Sequence, residues 1–147
     1  MPPVNAMQSY AIQNKLTPFI SMQNHYSLAY REEEREMFPT LKQYGVGAIP
    51  WSPLARGRLT RPLTQQTKRG EVDRFIGQYS KSQASADAIV NRVEELAGKK
   101  GCSMAQLALA WIMNRPGVTA PIVGTTSLEN LADLIGECGL ILWAGRG

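Results

Sequence analysis

The chain has 147 residues, ordinary for one domain, with 44% apolar residues to build a core and 19% charged residues, which argues against wholesale disorder. No stretch approaches the roughly 20 apolar residues of a membrane span, and Met1-Pro2-Pro3-Val4-Asn5 does not read as a secretory signal, so the expected compartment is the cytoplasm. The net charge of +4 is partly concentrated in Arg56, Arg58, Arg61, Lys68, Arg69 and Arg74, a cluster that fits a solvated loop, a phosphate-bearing ligand or nucleic acid.

In chain order, Val4, Met7, Ala11 and Ile12 fall at helical spacing, and Thr17-Pro18 is the expected break. Phe19-Ile20-Ser21-Met22-Gln23 reads as a short buried strand. The acidic run Glu32-Glu33-Glu34 suits a first helical turn, with Met37, Phe38 and Leu41 as the apolar face and Gly45 as the stop. Val46-Gly47-Ala48-Ile49-Pro50 is a second buried strand, opening into Trp51-Ser52-Pro53-Leu54-Ala55-Arg56-Gly57. From Thr60 to Ser80 no period is sustained, so a long loop is expected. A helix follows from Ala86 to Gly98, its face formed by Ile89, Val90, Val93, Leu96 and Ala97. Ser103 and Gln106 form a capping-box pattern for the next helix, ended by Pro116-Gly117. Ala120-Pro121-Ile122-Val123-Gly124 reads as a third strand, and Ser127 caps a final helix reaching Ile135. Strands alternating with helices imply parallel pairing through crossovers, in an open sheet or a barrel.

Cys102 and Cys138 lie far apart, and His25 is the only histidine. No metal site and no Ser-His-Asp arrangement is expected from them. No aromatic residues alternate with the basic cluster, as a single-strand nucleic-acid binder would want, and nucleic acid is not the expected partner.

Three segments together carry a resemblance. They are Ser21-Met22-Gln23-Asn24-His25-Tyr26-Ser27-Leu28, Pro50-Trp51-Ser52-Pro53-Leu54-Ala55-Arg56-Gly57, and Pro121-Ile122-Val123-Gly124-Thr125-Thr126-Ser127-Leu128-Glu129-Asn130-Leu131, with Ala105-Gln106-Leu107-Ala108-Leu109-Ala110-Trp111 between the last two. In this order the chain resembles the aldo-keto reductases over residues 4–135, particularly the branch similar to fungal aryl-alcohol dehydrogenases and potassium-channel β subunits. The resemblance implies an α/β fold, part of a (β/α)8 barrel containing its sixth to eighth strands with their helices. Its site lies at the C-terminal strand ends. It also implies NADPH as cofactor and a small aldehyde or ketone as substrate.

Site residues follow from the same resemblance. Gln23 corresponds to a partner of the nicotinamide carboxamide; a buried Gln satisfied by backbone is the competing reading. Trp51 corresponds to the ring stacked on the nicotinamide, with core packing as its alternative. Ser52, Leu54 and Gly57 belong to the loop along the pyrophosphate, and Arg69 resembles a basic residue of the loop covering the cofactor. Gly124, Thr126 and Asn130 would approach the 2′-phosphate and adenosine at a helix start. Asp133 falls where relatives place an acid near adenine, while the usual following Asn is Leu134 here. Helix capping by Thr126 and Ser127 is the alternative there.

The family's Tyr, Lys, Asp and His tetrad comes from earlier strands, so no catalytic residue is expected in this chain, and His25 follows the wrong motif for that role. Residues 136–147 look unrelated to the family, so residues 1–135 are expected to form its C-terminal part and 136–147 a separate tail. Three strands cannot close an eight-stranded barrel. Their open edges would favour association with a full-length relative, as a non-catalytic or regulatory fragment.

Overall fold

The computed structural model describes residues 4–65 and 83–136. Its first element is helix α1 (Val4–Gln13), followed two residues on by Lys15 in the left-handed region (φ 56°). The Leu16 N–H donates to the Ala11 carbonyl at 2.8 Å and the Lys15 N–H to Ile12 at 3.2 Å, a Schellman closure. That closure stops the helix before Thr17-Pro18, which had been expected to break it. Gln8 is buried, and its carboxamide both donates to the Phe19 carbonyl and accepts from the Phe19 N–H, each at 2.9 Å. Helix α1 is thereby tied to the segment entering β1 (Ser21–Met22).

The acidic run does not start the next helix. Glu32–Glu34 form a separate 3-10 turn, and α2 is Met37–Tyr44. Gly45, at φ 65°, closes α2 with the same motif: the Val46 N–H reaches Leu41 and the Gly45 N–H reaches Lys42. Leu41 and Val46 then share one apolar cluster with Ala48, which is the hydrophobic contact the closure normally brings.

Strand β2 (Gly47–Ala48) pairs in parallel with β1, Ser21 opposite Gly47 and Met22 opposite Ala48. The pairing continues past both strands. Gly47, Ile49 and Trp51 donate to the carbonyls of Ile20, Met22 and Asn24 at 3.1, 2.9 and 2.9 Å. On its other side the same segment meets the expected third strand. Ala48 donates to Gly117 at 2.9 Å, Thr119 to Ala48 at 2.8 Å, and Ile122 to Pro50 at 2.7 Å. The third row is two isolated parallel bridges, Ala48 with Val118 and Trp51 with Ile122, rather than a regular strand over 120–124. It begins earlier than expected. Pro121 lacks an N–H, so the ladder is interrupted there. Gly47 is needed in the middle row, since a Cβ at that position would lie 2.3 Å from Thr119 Oγ1.

After Trp51 the chain forms a 3-10 segment, Ala55–Thr60, kinked at Arg56 and Gly57. Helices α3 (Gln83–Lys100), α4 (Met104–Met113) and α5 (Leu128–Gly136) follow. Val90, Val93 and Ala97 of α3 are buried against Ala55, Leu59, Met104 and Ala108. The neighbouring face of α4 packs Ala105, Leu109 and Ile112 on Tyr26 and Leu134. Helix α4 is therefore the central layer, which explains why six of its ten residues are buried. Among the described residues no helix is long and apolar enough to cross a membrane.

Candidate functional site at the strand ends

The three parallel rows run in one direction, so the segments that follow them emerge on one side. Gln23 follows β1, Trp51 and Ser52 follow β2, and Gly124 follows the third row. Ligands of parallel α/β folds bind outside the carboxyl ends of strands, where loops can vary without disturbing the core. Gln23 is exposed there, and neighbouring Asn24 is buried, its amide donating to Glu33 at 3.3 Å.

Trp51 is half-buried and sits in the ladder between His25 and Ile122. His25 stacks on its indole at a centroid distance of 4.2 Å and 14° between planes. Tyr30 covers the other side of His25 at 4.3 Å, again at 14°. Burial, and after it the positive charge of Arg56, lowers the His25 pKa below its ordinary value, which favours the neutral ring.

The turn after Trp51 is conformationally unusual. Ser52, Ala55, Arg56 and Gly57 all have positive φ, at 53°, 49°, 57° and 95°. Three of these four carry a side chain, and each left-handed non-glycine residue costs on the order of 1–3 kcal/mol. Such strain persists only where packing over-determines it. Here Ala55 and Leu59 are fully buried, and the Gly57 N–H and Leu59 N–H both donate to the Leu54 carbonyl, at 3.0 and 3.3 Å. Leu54 is half-buried, its side chain packed against both α4 clusters. Arg58 is withdrawn from the basic cluster: its side chain is 12% exposed and pairs with Asp87 of α3 at 2.8 Å. Arg56 and Arg61 are half-buried, while Lys68, Arg69 and Arg74 lie outside the described residues.

At the third row, Gly124 and Thr126 are exposed, and Ser127 starts α5, its hydroxyl accepting from the Asn130 N–H at 3.3 Å. Capping there is performed by Ser127, which leaves Thr126 outside the helix. Asp133 is engaged internally. Its carboxylate accepts from Ser103 Oγ at 2.8 Å and its carbonyl accepts from Gln106 Nε2 at 2.8 Å, joining α5 to the capping box of α4. Among the described residues no group of three His, Cys, Asp or Glu side chains could hold a metal ion.

The segments carrying Gln23, Trp51 and Ser52, and Gly124 and Thr126 thus follow the three rows on the same side. Two rings were not singled out from the sequence, His25 and Tyr30. The available signal was positional: His25 stands two residues after Gln23, hence on the same side of an extended segment.

Comparison with known proteins agrees with this architecture. The model of the aldo/keto reductase family matches residues 3–142, a span that runs past residue 135. The chain is 45% identical over 136 residues to an aldo-keto reductase of Fusarium vanettenii, covering 91% of this chain and 36% of that protein. It is 46% identical over 132 residues to versiconal hemiacetal acetate reductase of Aspergillus parasiticus, covering 88% of this chain and 38% of the relative. A Schizosaccharomyces pombe protein whose name places it with the aryl-alcohol dehydrogenases is 45% identical over 138 residues, with 92% and 42% covered. The chain therefore spans well under half the length of these relatives. By the extent of the match and the shared residues, the chain belongs to the aldo/keto reductase family.

Proposed function

We propose that this chain forms the NADPH-holding C-terminal part of a carbonyl reductase, with its rows as the sixth to eighth strands of a (β/α)8 barrel. The observation that supports this most is the convergence of Gln23, Trp51, the Ser52–Gly57 turn and Gly124–Thr126 at one end of three parallel rows. In this reading Gln23 meets the nicotinamide carboxamide and Trp51 stacks its ring. The backbone around Ser52, Leu54 and Gly57 lies along the pyrophosphate. Gly124, Thr126 and Asn130 meet the 2′-phosphate end, with Arg69 contributing a charge. Asp133 acts near adenine through the position of α5 more than by its carboxylate, which Ser103 already engages. These groups suit a dinucleotide: a flat indole for a flat ring and exposed backbone at Gly124 for phosphate oxygens.

The bound cofactor would supply a hydride to an aldehyde or ketone. The proton for the resulting alkoxide would come from an acid in the part of the relatives that this chain does not span. A positioned acid is worth roughly 10²–10⁴-fold in rate, and oxyanion stabilisation often as much again. The 147-residue polypeptide is therefore expected to bind NADPH in preference to NADH and to show no carbonyl reduction by itself. Titration of the purified chain with both nucleotides, followed by tryptophan fluorescence, tests the first statement. Equal affinities would remove the 2′-phosphate assignment. Turnover of 4-nitrobenzaldehyde by the purified chain, within about tenfold of a longer relative, would overturn the second.

A second reading, a non-catalytic fragment that associates with a longer relative, is favoured by the apolar side chains at the two outer rows. Phe19 and Ile20 are 51% and 85% exposed beside β1, and Ile122 and Val123 are 44% and 41% exposed at the third row. Activity appearing only when a separately made N-terminal portion is added would support it.

A further inference from the structure

The three-ring row at the strand ends has both of its outer members fixed by backbone. Trp51 is held by the ladder, with its N–H on the Asn24 carbonyl at 2.9 Å and its bridges to His25 and Ile122. Tyr30 is brought back by a tight turn in which Ser27 and Tyr30 exchange both N–H···O bonds at 3.1 Å, around a Ser27 that is fully buried. His25 is the spacer between these two anchored planes, near 4.2 Å from each. A gap bounded by two parallel rings is filled only by another flat ring. A small side chain would leave a slot into which the indole could tilt, and a branched one would pry the planes apart.

We propose that His25 is the positioning residue of the Trp51 platform: seated on Tyr30, its ring covers one indole face and fixes the attitude of the other, on which a planar ligand ring stacks. The proposal rests on the reading that Trp51 stacks a nicotinamide ring. Its chemistry is that of an uncharged π spacer. Burial and the nearby Arg56 both favour the neutral imidazole, which stacks on the indole without adding a cation beside Arg56. His25 neither touches the reacting atoms in this role nor exchanges a proton.

His25 is the only histidine of these 147 residues, so its imidazole Cε1–H gives a single assignable proton resonance in this polypeptide. With Tyr30 and Trp51 on its two faces, that line is expected upfield of free histidine. It should move back toward the free position in Trp51→Leu and in Tyr30→Leu. A free-histidine position in the wild type would overturn the stack, and the proposal with it. NADPH titration, read on this line and by fluorescence, then tests the function. His25→Ala is expected to weaken NADPH roughly three- to tenfold, the equivalent of one lost ring pair. His25→Phe should restore most of the affinity, and His25→Leu, which keeps apolar bulk without flatness, should not. Unchanged affinity in His25→Ala would overturn the positioning role while leaving the cofactor reading in place. A wild type with the upfield line but no NADPH binding at millimolar concentration would remove the cofactor reading and the positioning role together. Equal loss in the Phe and Ala variants, with melting temperatures lowered alike, would reduce His25 to a packing residue and refute the proposal.

Discussion

Ser103→Ala tests how α5, and with it the Gly124–Asn130 segment, is held against the rest of the molecule. The Ser103 hydroxyl has two partners: it accepts from the Gln106 N–H at 3.0 Å and donates to Asp133 Oδ2 at 2.8 Å. Losing the first removes an N-cap, worth about 1 kcal/mol. Losing the second removes a hydrogen bond to a charged acceptor, worth about 1.5–3 kcal/mol in general and near the lower end here because Asp133 is half-buried. Together the substitution should cost about 2–3 kcal/mol. Ser103→Thr keeps both bonds and should stay within about 0.5 kcal/mol of the wild type. Urea unfolding of the 147-residue chain, followed by far-UV circular dichroism, measures these differences through the midpoint at constant slope. A cycle with Asp133→Ala should give a coupling of about 1 kcal/mol. If Ser103→Ala costs less than about 0.5 kcal/mol, or the coupling falls below about 0.3 kcal/mol, the hydroxyl is not the tether and the reasoning fails.

Gly47→Ala places a Cβ against the Thr119 hydroxyl and should cost about 1–3 kcal/mol; adding Thr119→Ala should recover most of that in thermal melts, and no recovery would show that the clash lies elsewhere. Arg58→Ala strips the partner from Asp87, which is 31% exposed, so a loss of about 1–3 kcal/mol is expected, with Arg58→Met/Asp87→Leu more stable than Arg58→Ala in the same urea assay. Glu34 accepts from Arg31 at 2.7 and 2.8 Å and from the Tyr26 hydroxyl at 2.5 Å, and the Arg31 guanidinium foremost holds its carboxyl below the ordinary value. A carboxyl whose folded pKa is depressed adds stability above its unfolded value near 4.5, and that contribution is lost as pH falls through the folded value. The melting temperature of Glu34→Gln should therefore lie below wild type at pH 7 and converge with it toward pH 3; a constant gap across that range would contradict the assignment.

Much of the secondary structure is written in local residue chemistry. The Ser103–Gln106 box, the Gly45 closure and the Val90, Val93 and Ala97 face of α3 each depend on side chains a few positions apart, so the sequence alone determined them. The parallel order of the rows was legible too, because helices alternate with short apolar segments. Family membership was likewise readable from motif order. What local pattern could not determine was how each side chain is used. Asp133 and Leu54 matched ligand-facing positions, yet Asp133 is bound to Ser103, thirty residues away, and Leu54 is packed between two clusters. Arg58 looked like part of a basic patch until α3 supplied Asp87. The acidic run became its own 3-10 turn, where Glu34 takes bonds from Tyr26 and Arg31. His25 gained its place only when the ladder set it beside Trp51 and the Ser27–Tyr30 turn closed over it. Caps, closures and periodicity are short-range, whereas partners for buried charge and stacked rings come from segments that only the tertiary packing brings together.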